Sequence, residues 1–300
     1  MTLKHFYGVL PAALTLGVLL LLPAALYIFR TYYRKKRQPP PFTNDFSRFP
    51  GQSLLNRLGD INEQIILFTG ALFAGPIVFY AAYLSFVYFS GLEIRLPGAL
   101  ATAAIGSGVT VYLLIKLLGY LNERRTLRLG YEGKAAVGQA LNQLMLEDYR
   151  IYHDFPAKSF NIDHIVVGQN GVFTVRTIAL PTPTAKNNRD NATVEYDGRA
   201  LYFPDYDDAE TIAHAEEQAL WLSKWIGETI GEAIAVRAIV ALPGWVVKRT
   251  SAEGISVVNP KQIGSMFQHV KPRPLSADMM AHINDGLERA CRDTSYCQTL

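Results

Sequence analysis

Three apolar runs occupy most of the first 120 residues. Phe6–Phe29, Gln64–Leu92 and Leu96–Ile115 contain no Asp, Glu, Lys or Arg. About 20 apolar residues suffice to cross a hydrocarbon layer of about 30 Å, so the pattern predicts three transmembrane helices. From residue 129 the period changes. Val137, Ala140, Leu141 and Leu144 recur at helical spacing and predict a helix to about Glu147. Tyr149–Phe155 reads as a strand. Ile162–Val167 and Val172–Ile178, parted by Gly168-Gln169-Asn170-Gly171, read as a β-hairpin. A second hairpin turns at Asp197-Gly198, between Thr193–Tyr196 and Arg199–Phe203. Asp207–Ile230 is a long amphipathic helix with Ile212, Ala215, Ala219, Leu222 and Ile226 on one face, and Asp207 with Glu210 resembles a capping box. Strands at 236–242 and 255–258 and helices at 261–267 and 277–292 complete an α/β sandwich.

Composition sharpens the membrane reading. Of the 300 residues 49% are hydrophobic and only 18% charged, with two cysteines. This excludes a disordered chain and a disulfide-built scaffold. Charge is split unevenly. Residues 1–128 carry 13 Lys/Arg against 5 Asp/Glu, net +8; residues 129–300 carry 16 against 21, net −5. The first apolar run is followed by Arg30, Arg34, Lys35, Lys36 and Arg37, whereas a cleaved signal carries its positive charge ahead of the apolar core. The run therefore reads as a retained anchor. Seven Lys/Arg in 30–64 and three in 121–128, against Lys4 and Arg95 on the other side, place the N-terminus outside and everything after 120 in the cytoplasm. The expected location is an integral membrane protein of a bacterial inner membrane. The basic run at 30–37 is expected to lie on anionic lipid headgroups.

Five segments follow: 1–37, a first span with its basic stop; 38–63, a cytoplasmic linker containing Pro39-Pro40-Pro41; 64–120, a transmembrane hairpin; 127–245, a globular domain; and 246–300, its C-terminal extension. Small residues four apart, Gly70/Ala74, Ala71/Gly75 and Ala104/Gly108, suit close packing in the hairpin. The helices lack a charged residue between their ends, as an anchor does and a proton relay does not.

In the globular part, Gly130-x-x-Gly133, then Phe160-Asn-Ile-Asp163-His-Ile-Val-Val-Gly168-x-x-Gly171-Val-Phe-x-Val175, resembles the NERD, or nuclease-related, domain. The resemblance implies a PD-(D/E)XK-like mixed sheet flanked by helices, here preceded by the three transmembrane helices. In that fold a first-helix Glu, a hairpin Asp and a Glu-x-Lys meet at a metal centre. Carboxylates hold Mg²⁺, which activates water, and a Lys stabilises charge on the reacting phosphate. This sequence keeps only Asp163. Lys134 stands where the helix Glu is expected, and Arg176 and Ile178 stand where Glu and Lys are expected. Asp163 is thus the sole candidate metal ligand, and no cofactor is expected, with Mg²⁺ or Mn²⁺ the alternative.

Strand periodicity puts 163, 176 and 178 on one face for either two-residue turn. This predicts an Asp163–Arg176 pair in which a guanidinium replaces the metal, with Lys134 as a second cation. His164 should face the other side as a packed imidazole. His214 and Gln218 share a helix face, Trp221 and Trp225 read as packing, and Cys291 and Cys297 as free thiols.

Three functions compete. The first is a membrane-tethered binding or regulatory module with an eroded nuclease motif. The second is a divergent metal-dependent DNA nuclease recruiting Glu132 or Glu195. The third is a structural membrane protein docking protein partners. Net −5 on the domain weakens nucleic-acid binding, which draws on basic surface.

Overall fold

A computed structural model describes residues 48–91, 96–157, 159–182, 192–232, 234–270 and 274–291. The first expected span, its basic stop and most of the linker lie outside the described residues. The described residues divide into two units: Leu58–Arg125 falls in one, and Arg48–Arg57 joins the residues from Thr126 onward in the other.

The first unit is a helical hairpin. Helix α1 runs Gln52–Ser90 and α2 runs Leu96–Asn142. Both are long and apolar enough to cross a membrane; these are two candidate spans among the described residues, against three expected. At about 1.5 Å per residue each helix is far longer than the hydrocarbon layer. α1 starts inside the expected linker, because Gly51 (φ 69°) turns the chain and Gly51 O accepts from Leu55 N. α2 passes through residue 120 without a break, because Leu121–Leu129 contains neither Gly nor Pro. The helix expected to open near Leu129 is thus the end of the second span's own helix. Antiparallel contacts link Asn62 to Arg124 (2.7 Å), Phe68 to Tyr120 (ring centroids 5.2 Å) and Phe79 to Gly106. The expected small-residue contacts are not where the hairpin closes: Gly70, Gly75 and Gly108 face open space, and Gly106 meets Phe79 instead.

The second unit is built on two sheets. Strands β1 (Arg150–Pro156), β2 (Asn161–Gly168), β3 (Gly171–Thr177), β7 (Val236–Ala241) and β9 (Ser256–Val258) form a five-stranded sheet in that order. Its first three strands are antiparallel and the rest parallel. Strands β4 (Thr193–Tyr196), β5 (Leu201–Tyr202), β6 (Asp207–Asp208) and β8 (Val246–Arg249) form the smaller sheet, order β6-β5-β4-β8. Helices α3 (Glu210–Ile230), α4 (Ile263–His269) and α5 (Ala277–Cys291) complete the domain. Val137 and Leu141 of α2 pack with Phe267 of α4 on Val166, Phe173 and Val175. On the opposite side, Leu222 and Ile226 of α3 and Ile283 and Leu287 of α5 pack on Phe155, Ile165 and Val172. This is an α/β fold with mixed sheets flanked by helices, as expected.

Three details differ from the sequence reading. Residues 246–258, expected as an extension, supply edge strands to both sheets. The second hairpin closes at Tyr196↔Leu201, so its loop has four residues, with Asp197 Oδ1 accepting from Arg199 N and Ala200 N. Asp207 belongs to β6, and Asp208 caps α3 by accepting from Thr211 N (2.8 Å) and Thr211 Oγ1 (2.7 Å).

Candidate functional site

The hairpin turn sets the geometry. Gly168 pairs with Gly171 across Gln169-Asn170, and the ladder runs to His164↔Val175. Asp163 lies one step beyond that last pair. Its carboxylate takes the place of a ladder carbonyl: Thr177 N donates to Oδ2 at 2.8 Å. The other oxygen, Oδ1, meets Lys134 Nζ at 2.7 Å. Lys134 reaches it because α2 passes close to the exit of β3. A Cβ at Gly133 would stand 2.5 Å from Ala179 Cβ, so only a glycine allows this approach. The pair is nearly closed to solvent, with side-chain exposures of 15% for Lys134 and 10% for Asp163.

The expected Asp163–Arg176 pair is therefore corrected. In-register placement brought the two positions side by side, but the ladder ends before them, and the Asp163 carboxylate turns to Thr177 N and Lys134. Arg176 Nε is buried without a hydrogen-bond partner. Arg176 lines a hollow with Tyr206, Asp207, Asp208, Glu210, Thr211 and His214. Two of that hollow's three carboxylates are engaged: Asp208 on Thr211, and Glu210 on His214 at 3.2 Å. Ile178 continues the parallel ladder through Ile178 N to Ala241 O (3.0 Å), and its side chain packs on the core between the sheets. An apolar side chain thus stands where the resemblance leads one to expect a lysine.

These residues do not fit a divalent ion. Mg²⁺ requires several hard oxygens, and here the one carboxylate stands beside an ammonium, while Arg176 turns to its hollow and Ile178 to the core. Among the described residues no three of His, Cys, Asp and Glu are grouped to hold a metal. Glu132 pairs with Arg128 (2.8 Å) and Glu195 with Lys248 (2.6 Å), both at the surface; neither is brought to Asp163.

Residues 129–243 match the family model of NERD, the nuclease-related domain. Comparison with curated proteins and with solved structures gives no match. The match runs from the end of α2 through β7.

Inside the NERD domain a polar chain adjoins the Asp163 corner. Thr177 Oγ1 lies 3.2 Å from His164 Nε2, His164 Nδ1 is 2.8 Å from His153 Nδ1, and His153 Nε2 is 3.1 Å from Asn142 Oδ1. One tautomer set satisfies every link. Thr177 donates to His164, His164 Nδ1–H donates to His153, and His153 Nε2–H donates to Asn142. Both rings are neutral in this set. Burial agrees: it pushes His153 down to about 4 against the opposing charge of Asp154. It pushes His164 well below its usual value, with His153 and Lys134 acting in the same direction. His164 is the packed imidazole expected from the sequence; its partner His153 was missed.

Asp154 was missed as well. It is fully buried with φ 49°, a left-handed conformation that Asp tolerates better than most residues. Its carboxylate accepts from Ser53 N (2.8 Å) and Ser53 Oγ (2.7 Å), and Arg48 Nη1 donates to its backbone oxygen at 3.2 Å. Only the β1–β2 register exposes these roles, because it sets His153 opposite His164 and leaves Asp154 as the unpaired step before Phe155↔Ile162. Of the other candidates, His214 is exposed between Glu210 and Glu217. Gln218 is buried with Oε1 unpartnered. Trp221 and Trp225 pack against Phe155. Cys291 is a buried free thiol raised to about 12 by burial, too high for reactivity at neutral pH. Cys297 lies outside the described residues.

Proposed function

We propose that this chain is a membrane-anchored NERD protein whose domain binds or regulates rather than cuts. The observation that carries the reading is the ion pair at the retained motif residue. Both Asp163 oxygens are engaged, one by the Lys134 ammonium at 2.7 Å and one by Thr177 N. A divalent ion would have to displace an internal cation and would gain a single carboxylate. The motif position that stabilises phosphate charge is apolar Ile178. A divergent nuclease would need Glu132 or Glu195 to leave their surface partners, and nothing in the fold directs them to Asp163.

Two long apolar helices support the anchor. The excess of Lys/Arg in 30–64 and 121–128 supports a cytoplasmic domain with the N-terminus outside. The partners we propose are anionic lipid, for the basic run at 30–37, and a protein bound by the net −5 domain. Nucleic acid is the less favoured partner. A purely structural docking role would share these partners.

The test is a cleavage assay of the full chain in detergent on supercoiled and linear DNA, with and without Mn²⁺. The reading predicts no cutting above the level of the Asp163→Ala variant. Metal-dependent cutting lost in that variant would overturn it.

A further inference from the structure

The stretch before α1 is packed into the NERD domain along a built groove. Gly130, Lys134 and Gly138 recur four apart on α2 and so line one stripe of the helix. Leu54 lies against Gly130, where an added Cβ would meet its Cδ1 at 3.3 Å. Pro50 fills the notch at Gly138, where a Cβ would stand 2.5 Å from its Cγ. Between them Gly51 passes over Lys134, within 3.5–3.6 Å of the Lys134 Cβ and Cδ for a Cβ at 51. The stretch is fastened by the buried carboxylate of Asp154, which takes both Ser53 donors, while Arg48 bonds the Asp154 backbone oxygen.

Beyond the contacts of Pro50 and Leu54, the fastenings are polar and few. None of residues 48–57 belongs to, or packs against, the three apolar clusters of the domain. Phe49 and Leu55 leave 58% and 45% of their surface in solvent. Removing the stretch would uncover the side chain of Lys134, one wall of the Lys134–Asp163 corner, and leave the three apolar clusters in place.

We propose that Arg48–Leu54 is a strap that closes the Lys134–Asp163 corner and lifts without unfolding the domain, so that access to the corner is controlled from the first turn of α1. The strap would cover a nuclease and a binding module alike, so its test is independent of the proposed function.

The experiment is acylation of the full chain in lipid nanodiscs with an amine-reactive ester, read lysine by lysine by mass spectrometry. In the unaltered protein, Lys134 should label at least about tenfold more slowly than Lys248, because it reacts only through local opening; the Lys248 side chain is 63% exposed. Arg48→Ala combined with Ser53→Ala, and separately Gly138→Ala, should raise the Lys134 rate several-fold while the near-ultraviolet signal of Trp221 and Trp225 persists. Asp163→Asn, with the strap intact, should leave Lys134 slow. Equal rates for Lys134 and Lys248 in the unaltered protein would overturn the strap. So would a Lys134 rate unmoved by both sets of strap variants. Should those variants lose the tryptophan signal, hydrogen exchange of the unaltered protein decides: amides of 53–57 must exchange faster than those of β2 and β3, and equal rates refute the proposal.

Discussion

The hairpin unit and the NERD unit use the same residue types to opposite ends. In the hairpin, Gly70, Gly75 and Gly108 face open space, and Thr102 and Thr110 donate to carbonyls four residues back in their own helix. In the NERD domain, Gly133 and Gly138 are places where another part of the chain comes too close for any Cβ. Buried polar groups there reach across elements: Lys134 to Asp163, His153 to His164, Ser53 to Asp154. In the apolar stretch of the hairpin the Thr102 and Thr110 hydroxyls are satisfied within their own helix and the surface carries apolar side chains, as a lipid-facing helix would require. Where the core is closed, polarity is satisfied at long range and fixes which elements meet.

The largest expected effect comes from breaking the buried pair. Asp163→Ala should destabilise the NERD domain by about 3–5 kcal/mol, since it strands an ammonium and an N–H inside. Urea unfolding followed by tryptophan fluorescence measures this, and a loss under about 1 kcal/mol would place the pair with ordinary surface bridges.

Next is acidification. Both histidines have folded pKa values below the usual 6.5, so the unfolded chain binds more protons. Stability is full above about pH 6.5 and falls as pH drops from there through about 4, the His153 value. The His153 share is on the order of 3 kcal/mol. Subtracting the pH profile of His153→Gln separates it from the carboxylates, and identical profiles would mean that the ring is not buried neutral.

Smaller is the glycine contrast. Gly133→Ala should cost about 1–3 kcal/mol by overpacking against Ala179. Gly75→Ala in the hairpin should be neutral or stabilising by less than about 1 kcal/mol. Thermal unfolding of the two variants side by side checks the sign of the difference; equal effects would erase the distinction between the units.

Local signals explain which parts of this fold the sequence discloses. Gly168-Gln169-Asn170-Gly171 announces its turn, and with it the pairing of β2 and β3. The apolar stripe of α3 and the apolar run of β7 likewise depend only on neighbouring residues. The partner of Asp163 does not, because it turns on where the ladder stops: one more ladder pair would have kept the carboxylate beside Arg176. His153 and Asp154 become meaningful only once β1 is in register with β2. The Gly130-x₃-Lys134-x₃-Gly138 stripe was legible as spacing, but its occupant lies about 80 residues earlier in the chain. Strand β8, with Lys248 and Arg249 at an exposed edge, carries too little apolar alternation to stand out.

The central claim is that an internal ammonium occupies the motif carboxylate that a metal-dependent relative would give to its ion. Titrating Mg²⁺ and Mn²⁺ into protein with ¹³C-labelled aspartate, while following the Asp163 carboxyl resonance by its loss in Asp163→Asn, tests this directly. The account predicts no saturable shift with Mg²⁺ and no site-specific broadening with Mn²⁺. A saturable shift at Asp163, accompanied by release of the Lys134 ammonium, would contradict it.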